Sequence, residues 1–109
     1  MAKFVKGDIV VVPFPFSDLT GSKKRPAMVL ASLPGDDILL CQITSQNPSG
    51  KFSVNITSVE FTEGSLPVDS YIRAEKIFTA DTNIILRKAG HVSDFIIDKT
   101  ISIIVGLLQ

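Results

Sequence analysis

Among its 109 residues the chain has no tryptophan, one cysteine, one histidine, one tyrosine and no net charge. With Cys41 as the only cysteine, a disulfide within the chain and a cysteine-based zinc site are both excluded. Cys41 sits inside the apolar run Ile38 to Ile43, the setting of a buried structural thiol. One histidine and scattered carboxylates supply no metal cluster, so neither a metal nor a cofactor is expected. His91 follows Gly90 and reads as a surface or helix-entry residue. No uninterrupted apolar stretch approaches the roughly 18 residues of a membrane span. The opening MAKFVKGD also lacks the apolar h-region of a signal peptide, so a cytoplasmic protein with no membrane partner is expected. Eleven Lys and Arg balance eleven Asp and Glu, and no global field draws the chain to a polyanion. Any such binding has to come from a local patch.

What is present is enough apolar residue, 45% of the chain, for one domain with one core, spanning 1–109. Ile9 to Val12 is β-branched throughout and predicts a strand that ends near Pro13, because Pro13 and Pro15 cannot donate to a ladder. Ser17 to Ser22 is turn chemistry, and a second strand is placed at Pro26 to Ser32. Pro34-Gly35-Asp36-Asp37 reverses the chain into a third strand, Asp37 to Ile43, and Thr44 to Lys51 reads as a loop. Phe52 to Thr57 alternates with period two, after which the apolar phase shifts to Val59 and Phe61, a bulge or break. Thr62 to Ser65 reads as a turn and Ser70 to Glu75 as a strand leading into a turn around Thr79 to Asn83. A weaker strand over Ile84 to Lys88 is stopped by Gly90. From Ser93 the period becomes helical, with Ile97, Ile101, Ile104, Val105 and Leu108 on one face and Ser93 as cap. Short strands followed by one helix with a wide apolar face imply a small, strongly bent antiparallel sheet or barrel that the helix covers.

The segment between the first two strands gathers Lys23, Lys24 and Arg25 beside the core, where an anionic ligand would dock. Gly7-Asp8-Ile9-Val10, a loop, then Lys24-Arg25-Pro26 and an aliphatic strand resemble the opening of the MazF/PemK toxins. Ile43-Thr44-Ser45-Gln46 and Ile72-Arg73-Ala74-Glu75-Lys76-Ile77 resemble that family's second and third signature blocks, in the same order. The resemblance implies an SH3-like antiparallel barrel with a C-terminal α-helix. It further implies the toxin of a type II toxin-antitoxin system, a homodimer that cuts single-stranded RNA or mRNA without a metal. A cognate antitoxin would cover the RNA groove, and the pair would bind DNA.

Metal-free RNA cleavage needs a base for the ribose 2′-hydroxyl, a proton donor for the leaving 5′-oxygen and cationic stabilisation of the phosphorane. A lone histidine excludes the two-histidine solution. Arg25 offers a permanently charged planar fork matched to phosphate oxygens, while Lys23 and Lys24 read as steering or phosphate-holding charge. The resemblance pairs Arg25 with Thr44, and Ser45 and Gln46 stand beside it as RNA contacts. Arg73 and Glu75, two apart, share one face of a strand. By resemblance they are secondary acid and base candidates, with Glu in place of the family's more familiar Asp. The products implied are a 2′,3′-cyclic phosphate and a 5′-hydroxyl. Two alternatives stay open. One is a non-enzymatic barrel toxin of the CcdB type, whose Trp-containing C-terminal end this chain lacks. The other is an inactive module that binds an acidic peptide through Lys23 to Arg25.

Overall fold

The computed structural model describes residues 4–14 and 23–109. Pro15 and the turn residues Ser17 to Ser22 lie outside the described residues. Within those described, seven strands form one sheet in the order β4-β6-β3-β2-β1-β7-β5, and a single α-helix, α1 (Asp94–Leu107), closes the chain. The strands are β1 (Asp8–Phe14), β2 (Lys23–Ser32), β3 (Asp37–Thr44), β4 (Ser53–Ile56), β5 (Phe61–Gly64), β6 (Ser70–Asp81) and β7 (Arg87–Val92). Every pairing is antiparallel. The mainly β architecture with a C-terminal helix is the one expected.

The middle strands are apolar on both faces, and two clusters result. Ile9, Met28, Cys41, Ile43, Val54, Ile72 and Val92 pack beneath α1 with Ile96 and Ile97. Val10, Val12, Ala27, Val29, Ile38, Leu40 and Ala80 form the second cluster. Because side chains alternate along a strand, Ile9 and Val10 serve different cores. Ser93 caps the helix as expected, its hydroxyl accepting from Ile96 N at 3.5 Å. The predicted helix face is covered at Ile97, beside Ile96 and Thr100, and partly at Ile101 and Ile104, whereas Val105 and Leu108 are exposed. Helix α1 leans on the sheet mainly with its first two turns. Thr100 can lie there because its hydroxyl donates to Ile96 O (2.9 Å).

The boundaries depart from expectation for local reasons. Val11 O accepts from Leu86 N (2.8 Å), so this row of β1 directs its backbone groups toward β7. Pro13 has the same parity and lies beyond the first residue of β7, so its missing N–H costs no ladder bond and β1 runs on to Phe14. Likewise β2 does not begin at Pro26. It keeps pairing with β1 back to Lys23, beyond the last β2–β3 pair, Ala27 with Gln42. The break after Ser58 is a 3-10 turn, Ser58–Glu60, closed by a capping box. Glu60 Oε1 accepts from Thr57 N (2.6 Å) and Thr57 Oγ1 (2.8 Å), holding the Glu60 carboxyl below its ordinary range.

Thr62 to Ser65, read as a turn, belongs largely to the edge strand β5, and Gly90 does not stop β7 but lies within it. A side chain at Gly90 would collide with Glu63 O and come within 2.9 Å of the Phe61 ring, so glycine permits β5 to close on β7. Strand β6 continues through the predicted turn at Thr79, because a bulge resets its alternation. Cys41 and Ile43 of β3 pair with Ile77 and Ile72, so residues 73–76 bow out between them.

Asp8 is the one buried carboxylate among the described residues, 2% exposed. Its oxygens accept from Val5 N (2.9 Å) and meet His91 Nδ1 (2.8 Å) and Lys88 Nζ (3.4 Å). His91 thus sits at the helix entry as expected, with its ring committed to joining β7 to β1. Cys41 is buried and donates from Sγ to Arg73 O (2.9 Å), and burial pushes its thiol up to about 12.

Two outcomes are expected. Gly90→Ala lowers stability by about 1–3 kcal/mol, read as a lower urea midpoint with unchanged slope. Cys41 stays protonated and covered in mildly alkaline buffer, so a chromogenic disulfide reagent labels it only at the rate of unfolding; immediate labelling of the native protein would contradict its placement.

Candidate active site

Beyond Ala27 the β1–β2 ladder carries Lys23, Lys24 and Arg25, paired with Phe14, Pro13 and Val12. The three cations are therefore strand residues at fixed spacing. Continuing the β2–β3 register past Ala27 and Gln42 sets Arg25 opposite Thr44, and Thr44 is paired with Tyr71, itself opposite Asn55 of β4. Residues opposed in this way share a face of the sheet. Thr44, Tyr71 and Asn55 thus form one paired row across three strands, and Arg25 falls in line with it beyond the last β2–β3 pair. Arg25, Thr44 and Tyr71 are half-buried, so their polar ends remain accessible. Thr44 Oγ1 accepts from Gln46 N (3.2 Å), which turns the chain back at the strand end and leaves the hydroxyl proton free to donate.

Beside this row lies a groove of about 610 Å³. It is lined by Lys23, Lys24, Arg25 and Arg87, with Ser45, Gln46 and Ser70 among its other polar groups. Val11, Pro26, Ile43 and the segment Leu66 to Val68 supply apolar surface, and among the described residues no carboxylate lines it. Four cations meet here in a chain whose formal net charge is zero. The local patch that polyanion binding requires is present.

Of the residues singled out in the sequence, Lys23, Lys24, Arg25, Ser45 and Gln46 converge on this groove, and Thr44 joins Arg25 through the register. Arg73 and Glu75 do not line it. They lie on the β6 bulge, Arg73 Nη2 2.9 Å from Glu75 Oε2, with each side chain about one-third exposed. Arg73 Nε is buried and without a partner among the described residues, so the guanidinium keeps an open donor. Among the described residues no three His, Cys, Asp or Glu side chains are grouped to hold a metal, and no helix is long and apolar enough to cross a membrane.

Compared with known protein families, residues 5–105 match the one described as PemK-like, MazF-like toxin of type II toxin-antitoxin system. The chain belongs to this family. Solved structures share its fold. A chain of the MazE-MazF crystal structure (Form-II) from Deinococcus radiodurans superposes with a TM-score of 0.80 at 18% identity, over 99% of this chain and 97% of that one. An endoribonuclease from a Mycobacterial species, in complex with its cognate antitoxin, gives 0.72 at 16% identity over 95% and 93%. The Mycobacterium tuberculosis toxin MazF-mt6 gives 0.70 at 14% identity over 92% and 93%. Comparison with curated proteins returns no match.

Two residues of this PemK/MazF-family chain were not singled out in the sequence. Tyr71 reaches the Arg25–Thr44 row only through the β3–β6 register, and Arg87 reaches the groove only because β7 pairs with β1. Neither carries a local signal. Since Arg73 and Glu75 are both water-accessible, their ion pair adds little to folding. A double-mutant cycle with alanine at each position is expected to give a coupling below about 1 kcal/mol in unfolding free energy, and a larger coupling would make the pair a structural clamp.

Proposed function

We propose that this family member is a metal-independent endoribonuclease toxin that cuts single-stranded RNA. The observation that carries this reading is Arg25 held by the β1–β2 ladder in a groove lined by four cations and by Ile43 and Ser45, which flank Thr44. In the reaction the 2′-oxygen attacks the adjacent phosphorus in line and the 5′-oxygen departs, giving a 2′,3′-cyclic phosphate and a 5′-hydroxyl. Negative charge grows on the non-bridging oxygens as the phosphorane forms. The guanidinium of Arg25 and the hydroxyl proton of Thr44 face that charge from neighbouring strands, and such fixed donors act most strongly on the transition state. A hydrogen bond from the Arg25 guanidinium also eases departure of the 5′-oxygen, which takes its proton from water. Lys23 and Lys24 hold flanking phosphates, and Ser45 and Gln46 offer hydrogen bonds to base or phosphate. Arg73 and Glu75, in contact on the β6 bulge, are the secondary acid and base pair.

The protein acts in the cytoplasm as a homodimer, with a cognate antitoxin as its partner. Two of the similar structures pair a toxin with an antitoxin, in the Mycobacterial and Deinococcus complexes, which supports that assignment. An antitoxin segment lying over Arg25 would block phosphate entry.

Purified protein incubated with a long single-stranded RNA in EDTA is expected to cut it at a recurring short sequence mapped by primer extension. Arg25→Ala should lower the rate by at least ~10²-fold while retaining the circular dichroism and urea midpoint of the parent. Undiminished cutting by folded Arg25→Ala protein would overturn the assignment.

A further inference from the structure

Successive side chains of β7 leave the strand on opposite faces. Lys88 turns toward Asp8, its ammonium 3.4 Å from Asp8 Oδ1 and 3.3 Å from Glu63 Oε2. Arg87 is aligned with Val11 and lines the cationic groove. Its side chain is exposed, and among the described residues it makes no ion pair. One cation of the Arg87–Lys88 pair is thus neutralised within the fold, and the other is presented to the groove.

Arg87, Val11 and Pro26 form a row across β7, β1 and β2. At about 4.8 Å per strand, Arg87 stands roughly 10 Å from Pro26 at the backbone. Arg25, the next residue along β2, also lines this groove, so the side chains of Arg87 and Arg25 can meet neighbouring phosphates of one extended strand. The same groove is lined by the apolar Leu66 and Val68, and Ser70 offers a hydroxyl within it. Cationic and apolar side chains lining one groove match a nucleotide, with phosphate on the cations and base on the apolar surface.

We propose that Arg87 holds a backbone phosphate next to the scissile one, making the groove between Arg87 and Arg25 a nucleotide subsite for the RNA strand. This rests on the endoribonuclease reading above. An acidic peptide is the competing occupant. A peptide extending the sheet would find as ladder edge only the short stretch of β2 from Lys23 to Pro26, beyond its last pair with β3. Regularly spaced phosphates answer the cations without one.

The test is fluorescence anisotropy with a fluorescein-labelled, 2′-O-methylated RNA of mixed sequence, which cannot be cut, titrated at several salt concentrations. Arg87→Ala is expected to weaken binding roughly tenfold and to reduce the magnitude of the log Kd against log salt slope by about 0.7, one single-strand phosphate. Arg87→Lys, which keeps the charge, should retain the slope. Arg87 is exposed, and circular dichroism checks that each variant folds. If Arg87→Ala matches the parent in affinity and slope while Arg25→Ala binds weakly, the subsite is wrong and the endoribonuclease reading survives. Failure of the parent protein to bind the RNA in low salt would sink both. Binding of a short oligoglutamate peptide that is lost in Arg87→Ala, with RNA binding unchanged, would give the groove to an acidic protein partner instead.

Discussion

The candidate site depends on β2 continuing to pair with β1 after its last pair with β3. That continuation carries Lys23, Lys24 and Arg25 in register with Phe14, Pro13 and Val12. Each lysine or arginine side chain loses conformational entropy, up to about 2 kcal/mol, when it is ordered. A ladder fixes their backbones as the protein folds, leaving only side-chain freedom to be lost when an anion arrives. Preorganisation of this kind favours charge that appears in a transition state over charge already present in the substrate.

The strand–helix order and the apolar runs of β1 to β4 were legible in the sequence because period-two and period-3.6 patterns report burial directly. What the pattern missed was set by contacts between distant residues. Gly90 looked like a stop signal, yet its reason for being glycine is the approach of Phe61 and Glu63 from β5. The second half of β6 was hidden because residues 73–76 bulge, moving the apolar phase from Ile72 to Ala80. Val105 and Leu108 continue the helical stripe, but the sheet beneath α1 does not extend far enough to cover them.

The site divided in the same way. Arg25, Thr44, Ser45 and Gln46 stand in short blocks whose order along the chain could be recognised, and the β2–β3 hairpin places them at one end of the sheet. Tyr71 and Arg87 come from strands whose neighbours in space are remote in sequence, so only the strand order 6-3-2-1-7 brings them in. Arg73 and Glu75 were correctly expected to touch, but they do so on the bulge, outside the cationic groove.

The two-sided burial of the middle strands removes the usual safeguard on alignment. In a sheet with one wet face, a one-residue slip drives apolar side chains into water and is rejected on that ground. In β1 the same slip would exchange Ile9 and Val11 for Val10 and Val12, one β-branched set for another, at little hydrophobic cost. Asp8 breaks that degeneracy. Shifted by one place against β7, its carboxylate would lose His91 and Lys88 together and become a buried charge without a counterpart. A single acidic residue near the start of the first strand therefore acts as the alignment key for Arg25 and Arg87, to which β1 is paired on either side.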